Sequence, residues 1–187
     1  SEALTEFFYG GNPPSTLPYR QFVADPDSGS LTVVYPIGDI NGDGFIEWVR
    51  RDVYVNDPLR AVRIWRGGLP FDSALVIMHL PSDLGLEAVG DINGDGYDDF
   101  GMYDGNTATF YVFYGSAAPD TVPDWQMQCS PIMAHGDING DGYSDVLEQG
   151  FAADSIWIYF GGNNPDTLPD VALYMTQTPA IVNDLNG

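Results

Sequence analysis

The chain holds a single cysteine, Cys129, so no disulfide can form within it. Basic residues are also scarce: 6 Lys and Arg stand against 27 Asp and Glu, a formal net charge of -21 over 187 residues. That field repels phosphate backbones and anionic lipid, which excludes a nucleic-acid-binding or polybasic membrane-surface protein. No stretch approaches the roughly eighteen apolar residues of a membrane-spanning helix, and no signal peptide is recognisable. Missing too are Gly-x-Ser-x-Gly, a phosphate-cradling loop and any isolated acid–base pair, so no catalytic site is expected. No segment sustains a 3.6-residue apolar period between caps, which predicts almost no helix. Hydrophobic residues at 44 %, with 13 % aromatic, can still supply a packed core, so an acidic disordered segment is excluded as well. Cys129 reads as a small buried hydrophobe within that core.

What the chain does have is repetition. Gly-Asp-Ile-Asn-Gly-Asp-Gly begins at Gly38, Gly90 and Gly136, and a further copy opens at Asp184-Leu185-Asn186-Gly187. The first Asp falls at 39, 91, 137 and 184, a spacing of 46 to 52 residues, the period of propeller-blade repeats. Two other landmarks share it. Phe8-Tyr9-Gly10-Gly11, Trp65-Arg66-Gly67-Gly68, Phe113-Tyr114-Gly115 and Phe160-Gly161-Gly162 each close an apolar run. Ser15-Thr16-Leu17-Pro18, Asp120-Thr121-Val122-Pro123 and Asp166-Thr167-Leu168-Pro169 follow them, and only the stretch after Gly68 departs.

Between landmarks lie short runs of Val, Ile, Tyr, Phe and Trp bounded by Gly, Pro, Asn and Asp, which are strand signals. One run enters each motif (31–37, 86–89, 132–134), one leaves it (45–53, 97–103, 143–147), and a third carries aromatics (61–65, 107–114, 156–160). A fourth, such as 74–80, follows the Pro-containing turn. The reading is an all-β chain of β-propeller-type blades with four antiparallel strands each. Three complete repeats are expected at about 30–84, 85–129 and 130–178, with partial blades at 1–29 and 179–187. Since the chain starts and stops inside repeats, it is expected to be a piece of a longer sequence or a mature product.

The motif itself reads as a loop for a hard cation. In Asp91-Ile92-Asn93-Gly94-Asp95-Gly96-Tyr97-Asp98-Asp99, oxygen-bearing side chains stand at positions one, three, five and nine. The Tyr97 carbonyl at position seven completes the set, and Gly96 permits the sharp turn. The other copies supply Asp39, Asn41, Asp43, the Phe45 carbonyl and Glu47, and Asp137, Asn139, Asp141, the Tyr143 carbonyl and Asp145. All-oxygen, carboxylate-rich ligation selects Ca²⁺, about three ions in all, with a further site at Asp184 and Asn186 incomplete. An EF-hand or dockerin-type loop would need a Glu at position twelve and flanking helices. Position twelve is Arg50, Met102 and Glu148, so two copies fail. A plain Asp-Gly hairpin turn explains Asn and Gly but not an acid at position nine in every complete copy. Position eight is Ile46, Asp98 and Ser144, and so needs no oxygen. His135 occupies the place of Ile37 and Val89 and reads as a strand residue near the core. Trp48, Trp125 and Trp157 share no register and are the better candidates for stacking a ligand.

Phe-Tyr-Gly-Gly followed, a strand later, by Gly-Asp-Ile-Asn-Gly-Asp-Gly-Tyr-x-Asp resembles the FG-GAP repeat of integrin alpha-subunit propellers and of many secreted bacterial proteins. The Asp166-Thr167-Leu168-Pro169-Asp170 turn resembles the bacterial members. The resemblance covers nearly the whole chain. It implies a β-propeller with Ca²⁺ bound in the hairpin between the first two strands of a blade, and an extracellular or cell-surface role in adhesion or scaffolding. Because integrin-type propellers close with about seven blades, the partial ends are expected to meet, between copies in a homo-oligomer or filament, or alternatively within one chain as a small four-bladed ring. A carbohydrate-binding propeller, or the accessory domain of a polysaccharide-active enzyme, is the alternative. A protein or glycan ligand is expected in either case, without nucleic acid or membrane insertion.

Overall fold

In a computed structural model, which describes residues 4–7, 13, 16–17, 20–23, 31–53, 60–68, 74–80, 86–150 and 154–174, every regular element is a β-strand. The strands are β1 (Leu4–Phe7), β2 (Arg20–Val23), β3 (Leu31–Gly38), β4 (Glu47–Val53), β5 (Arg60–Trp65), β6 (Ala74–Leu80) and β7 (Leu86–Gly90). They continue with β8 (Asp99–Asp104), β9 (Thr109–Phe113), β10 (Trp125–Gln128), β11 (Ile132–Gly136), β12 (Asp145–Gln149), β13 (Ser155–Tyr159) and β14 (Val171–Tyr174). β1 pairs with β2, and the remaining twelve form three four-stranded antiparallel meanders: β3-β4-β5-β6, β7-β8-β9-β10 and β11-β12-β13-β14. Each strand pairs with its neighbour in sequence, as short turns dictate. Residues 175–187, with the incomplete motif at Asp184 and Asn186, and the aromatic landmark at Phe8 lie outside the described residues.

The described residues fall into two compact units, one within 1–36 and 45–83, the other within 37–44 and 84–187. In the first, the period-two alternation of β5 decides the packing. Val62 and Ile64 are fully buried and sit opposite Met78 and Val76 of β6, which are buried as well. Trp48 faces Trp65 across the β4–β5 pair, and the rings stack at 5.6 Å and 14°. Trp48 is 5 % exposed and its Nε1–H donates to the Arg66 carbonyl at 3.3 Å. A ring held in the core in this way offers no face to a sugar.

In the second unit, Val89, Ile92, Phe110, Val112, Met127, Cys129, Val146 and Tyr159 make one buried cluster, with Trp125 and Trp157 packed against it. Members come from both sheets and from the motif loop, through Ile92, so the loop is anchored in the core. Phe100 and Phe113, opposite one another on β8 and β9, stack at 4.9 Å. Cys129 is fully buried, as its reading from sequence requires. His135 departs from its reading. It lies on β11 but is exposed, whereas Ile37 and Val89 at the same motif position are 0 % exposed. The described residues leave that part of β11 uncovered.

One acid belongs to this core. Glu148 on β12 is 0 % exposed and accepts a hydrogen bond from Tyr159 Oη at 2.6 Å and another from the Ser130 amide. Burial raises its pKa above the ordinary 4.5, against the lowering effect of those bonds. As pH rises from 4.5 through the raised value, the unfolded chain sheds this proton before the folded one does, so stability falls across that window and then levels. Glu148→Gln is therefore expected to flatten the decline. Urea midpoints at about pH 5 and about pH 8 check it, and parallel curves for the two proteins would refute the assignment.

Candidate functional site

The three motif loops share one hydrogen-bond pattern. In the second, Asp91 Oδ1 accepts from the amides of Gly94 and Asp95 at 2.7 and 3.1 Å, and its Oδ2 accepts from Gly96 at 2.9 Å. Asn93 Oδ1 accepts from Asp95 N–H at 2.9 Å, and Asp95 Oδ1 from Tyr97 N–H at 3.0 Å. The Asn93 amide donates to Asp95 Oδ2 at 2.9 Å, which brings positions three and five side by side. The third loop repeats each bond on Asp137, Asn139 and Asp141, at 2.7 to 3.1 Å. In the first, Asp43 N–H donates to Asp39 Oδ1 and Asn41 Oδ1, and Gly44 N–H to Asp39 Oδ2. Short oxygen-bearing side chains that fold back on their own backbone are the physical reason for Asp and Asn here.

Position nine is built differently. Asp99 is fully buried, its Oδ2 accepting from Ile92 N–H at 2.9 Å and its Oδ1 from Gly115 N–H at 2.8 Å. Asp145 does the same with Ile138 and Gly161 at 2.7 and 2.9 Å. Glu47, also fully buried, accepts from Gly67 N–H at 3.1 Å. In the three described aromatic landmarks a glycine is thus the hydrogen-bond partner of the position-nine acid, which is why the two features recur together. Sequence reasoning saw both and missed the bond between them. Burial pushes Asp99 up to about 7; its two amide donors pull it down, and Asp95 and Asp91 push it further up.

Glu148, the one acid at an EF-hand-like position twelve, is committed to Tyr159 and Ser130 instead. The strands that leave the motifs begin at position nine rather than at seven, and in the second and third loops position eight belongs to a different contact. Asp98 N–H donates to the Asp39 carbonyl at 3.1 Å, and Asp98 Oδ2 accepts from Asp39 N–H at 2.8 Å. Ser144 N–H donates to the Asp91 carbonyl at 2.8 Å. Position eight of one loop therefore reaches position one of the loop before it. The sequence reading gave this position no task.

Among the described residues, no three or more His, Cys, Asp or Glu side chains gather at the spacing that would hold a metal ion. The carboxylates are turned on to backbone amides. The donor set nevertheless suits a hard cation: each loop offers only oxygen, and a carboxylate oxygen with one N–H partner keeps a second lone pair. Asp91 and Asp95 also stand near enough to raise the pKa of Asp99, a crowding of like charge that a dication would relieve. No protein-family model matches the chain, and no curated protein matches it.

Proposed function

We propose that this chain is a calcium-binding extracellular scaffold or adhesion protein whose three four-stranded sheets are blades of a β-propeller type, related to FG-GAP repeats. Each loop would hold one Ca²⁺. The ligands are Asp39, Asn41, Asp43, Phe45 and Glu47 in the first loop, and Asp91, Asn93, Asp95, Tyr97 and Asp99 in the second. Asp137, Asn139, Asp141, Tyr143 and Asp145 serve the third. The observation that supports this most is the identical wiring of the second and third loops, side chain by side chain, around oxygen atoms alone. A net charge of -21 is a further reason, since three dications offset part of the self-repulsion. The role of the bound ions is to fix loop geometry, and that of the array is to present a rigid surface. Copies join head to tail into a longer assembly. A lectin-like function has less support, because Trp48 is interior and Trp125 and Trp157 pack on the core.

Calcium titration by calorimetry tests the metal and the register together. The wild-type protein is expected to take up about three ions at the 10⁻⁴–10⁻³ M affinities of extracellular modules. Asp95→Ala removes a central ligand and should abolish one site. Asp98→Ala should keep all three and cost about 1 kcal/mol through the lost bond to Asp39 N–H. No uptake by the wild-type chain would refute the metal, and equal losses in the two variants would refute the register.

A further inference from the structure

The second unit contains the same loop-to-loop contact twice. In the first instance, Asp98 N–H bonds the Asp39 carbonyl and Ser116 N–H bonds the Ile40 carbonyl, at 3.1 and 2.9 Å. In the second, Ser144 N–H bonds the Asp91 carbonyl and Gly162 N–H bonds the Ile92 carbonyl, both at 2.8 Å. Side chains follow the same register. The position-seven ring lies on the position-four glycine of the loop before it: a Cβ at Gly42 would stand 2.6 Å from Tyr97, and one at Gly94 would overlap Tyr143. Position eight covers the glycine that opens the earlier motif, Asp98 on Gly38 and Ser144 on Gly90. Each loop thus has a receiving side, of two carbonyls and two glycines around the position-two isoleucine, and a giving side.

Among the described residues, nothing covers the receiving side of the third loop. A Cβ at Gly136 or Gly140 would meet nothing within 4 Å, and Ile138 is 48 % exposed where Ile40 and Ile92 are 0 % and 2 %. The giving positions of the second and third loops make the contacts above; those of the first loop, Phe45 and Ile46, present surface to solvent, at 55 % and 62 % exposure. An aromatic residue stands at position seven here too, and Gly68 is the counterpart of Ser116 and Gly162.

We infer that the exposed receiving side of the third loop docks the first loop of a second copy of this chain, in the register already used twice within it. Phe45 of the incoming copy lies on Gly140, Ile46 covers Gly136 and Ile138, and the amides of Ile46 and Gly68 bond the carbonyls of Asp137 and Ile138. The contact is heterologous, so it joins copies head to tail, in a ring or a filament. This names the surface for the assembly part of the reading above and is independent of its calcium part. Both copies are acidic, so association strengthens as salt screens them.

Sedimentation equilibrium over a concentration series, at moderate and at high salt, tests the inference. The wild-type chain is expected to form oligomers whose size grows with concentration, beyond a dimer. Ile138→Lys and Ile46→Lys, each confirmed to be folded by circular dichroism, should each weaken self-association by about tenfold or more. Mixing the two variants should restore a 1:1 pair that grows no further, because each retains the surface the other has lost. A wild-type chain that stays monomeric at every concentration, or variants that associate as before, or a mixture that forms no pair, overturns it. Calcium uptake on the same samples separates the two readings: assembly without uptake sinks the metal alone, and uptake without assembly sinks this contact alone.

Discussion

Chelation of calcium is expected to lower the melting temperature by roughly 10 °C. At tenfold excess over its dissociation constant, one ion bound only by the folded state stabilises it by about 1.4 kcal/mol. Three such sites give about 4 kcal/mol, a large share of the stability of an ordinary domain, and each kcal/mol moves the midpoint of a chain this size by about 2–4 °C. The structure explains why loss should reach the core. Ile92 belongs to the buried cluster of the second unit, and Asp99 holds both that residue's amide and Gly115. A loop that relaxes around its carboxylates pulls on that cluster. Differential scanning calorimetry with added calcium and with a chelator checks the shift. An unchanged midpoint would show that the loops fold through their own amide bonds and need no ion.

Gly161→Ala should cost about 1–3 kcal/mol or more, while Gly162→Ala, one residue on, should be nearly neutral. A methyl at Gly161 would overlap the Ser144 carbonyl oxygen and approach the Ile92 carbonyl oxygen to 2.8 Å and Tyr143 Cβ to 2.9 Å. Two of those three atoms are backbone, so no rotamer change relieves the clash. At Gly162 the added carbon meets nothing within 4 Å. Gly115 stands in the same surroundings as Gly161, against the carbonyls of Asp98 and Ile40, and Gly115→Ala should behave alike. Urea midpoints at constant slope give the comparison. Similar losses at Gly161 and Gly162 would mean that backbone approach between repeats is not what these glycines serve.

Much of the fold was legible because strand signals are local. The period-two alternation of Val62 and Ile64 with Arg63 and Trp65 is enough to place β5, and β6 covers the very run read from sequence. What stayed hidden depends on partners far along the chain. Asp98 looked idle because its partner, Asp39, lies 59 residues away. The glycines after the aromatics looked like punctuation, yet Gly115 serves Asp99 across 16 residues. Glu148 carries the right residue type for a loop ligand, and only the position of Tyr159 on the next strand shows that it faces the core. The motif loops were legible as oxygen-rich turns, since Asp and Asn at alternate positions can fold back on their own backbone amides, as they do here. Trp48 illustrates the converse, because an irregular register suggested a ligand platform and the cross-strand Trp65 explains it instead.

The rungs between successive loops join amide to carbonyl, and amides and carbonyls are the same in every residue. That part of the joint does not read side chains, whereas the Asp98–Asp39 bond, the tyrosine rings over Gly42 and Gly94 and the shared core do. A unit that is copied whole carries its own giving side and its own receiving side, so duplication reproduces the joint together with the unit. Length becomes an adjustable property of the array, set by how many units are copied and not by any one residue within them.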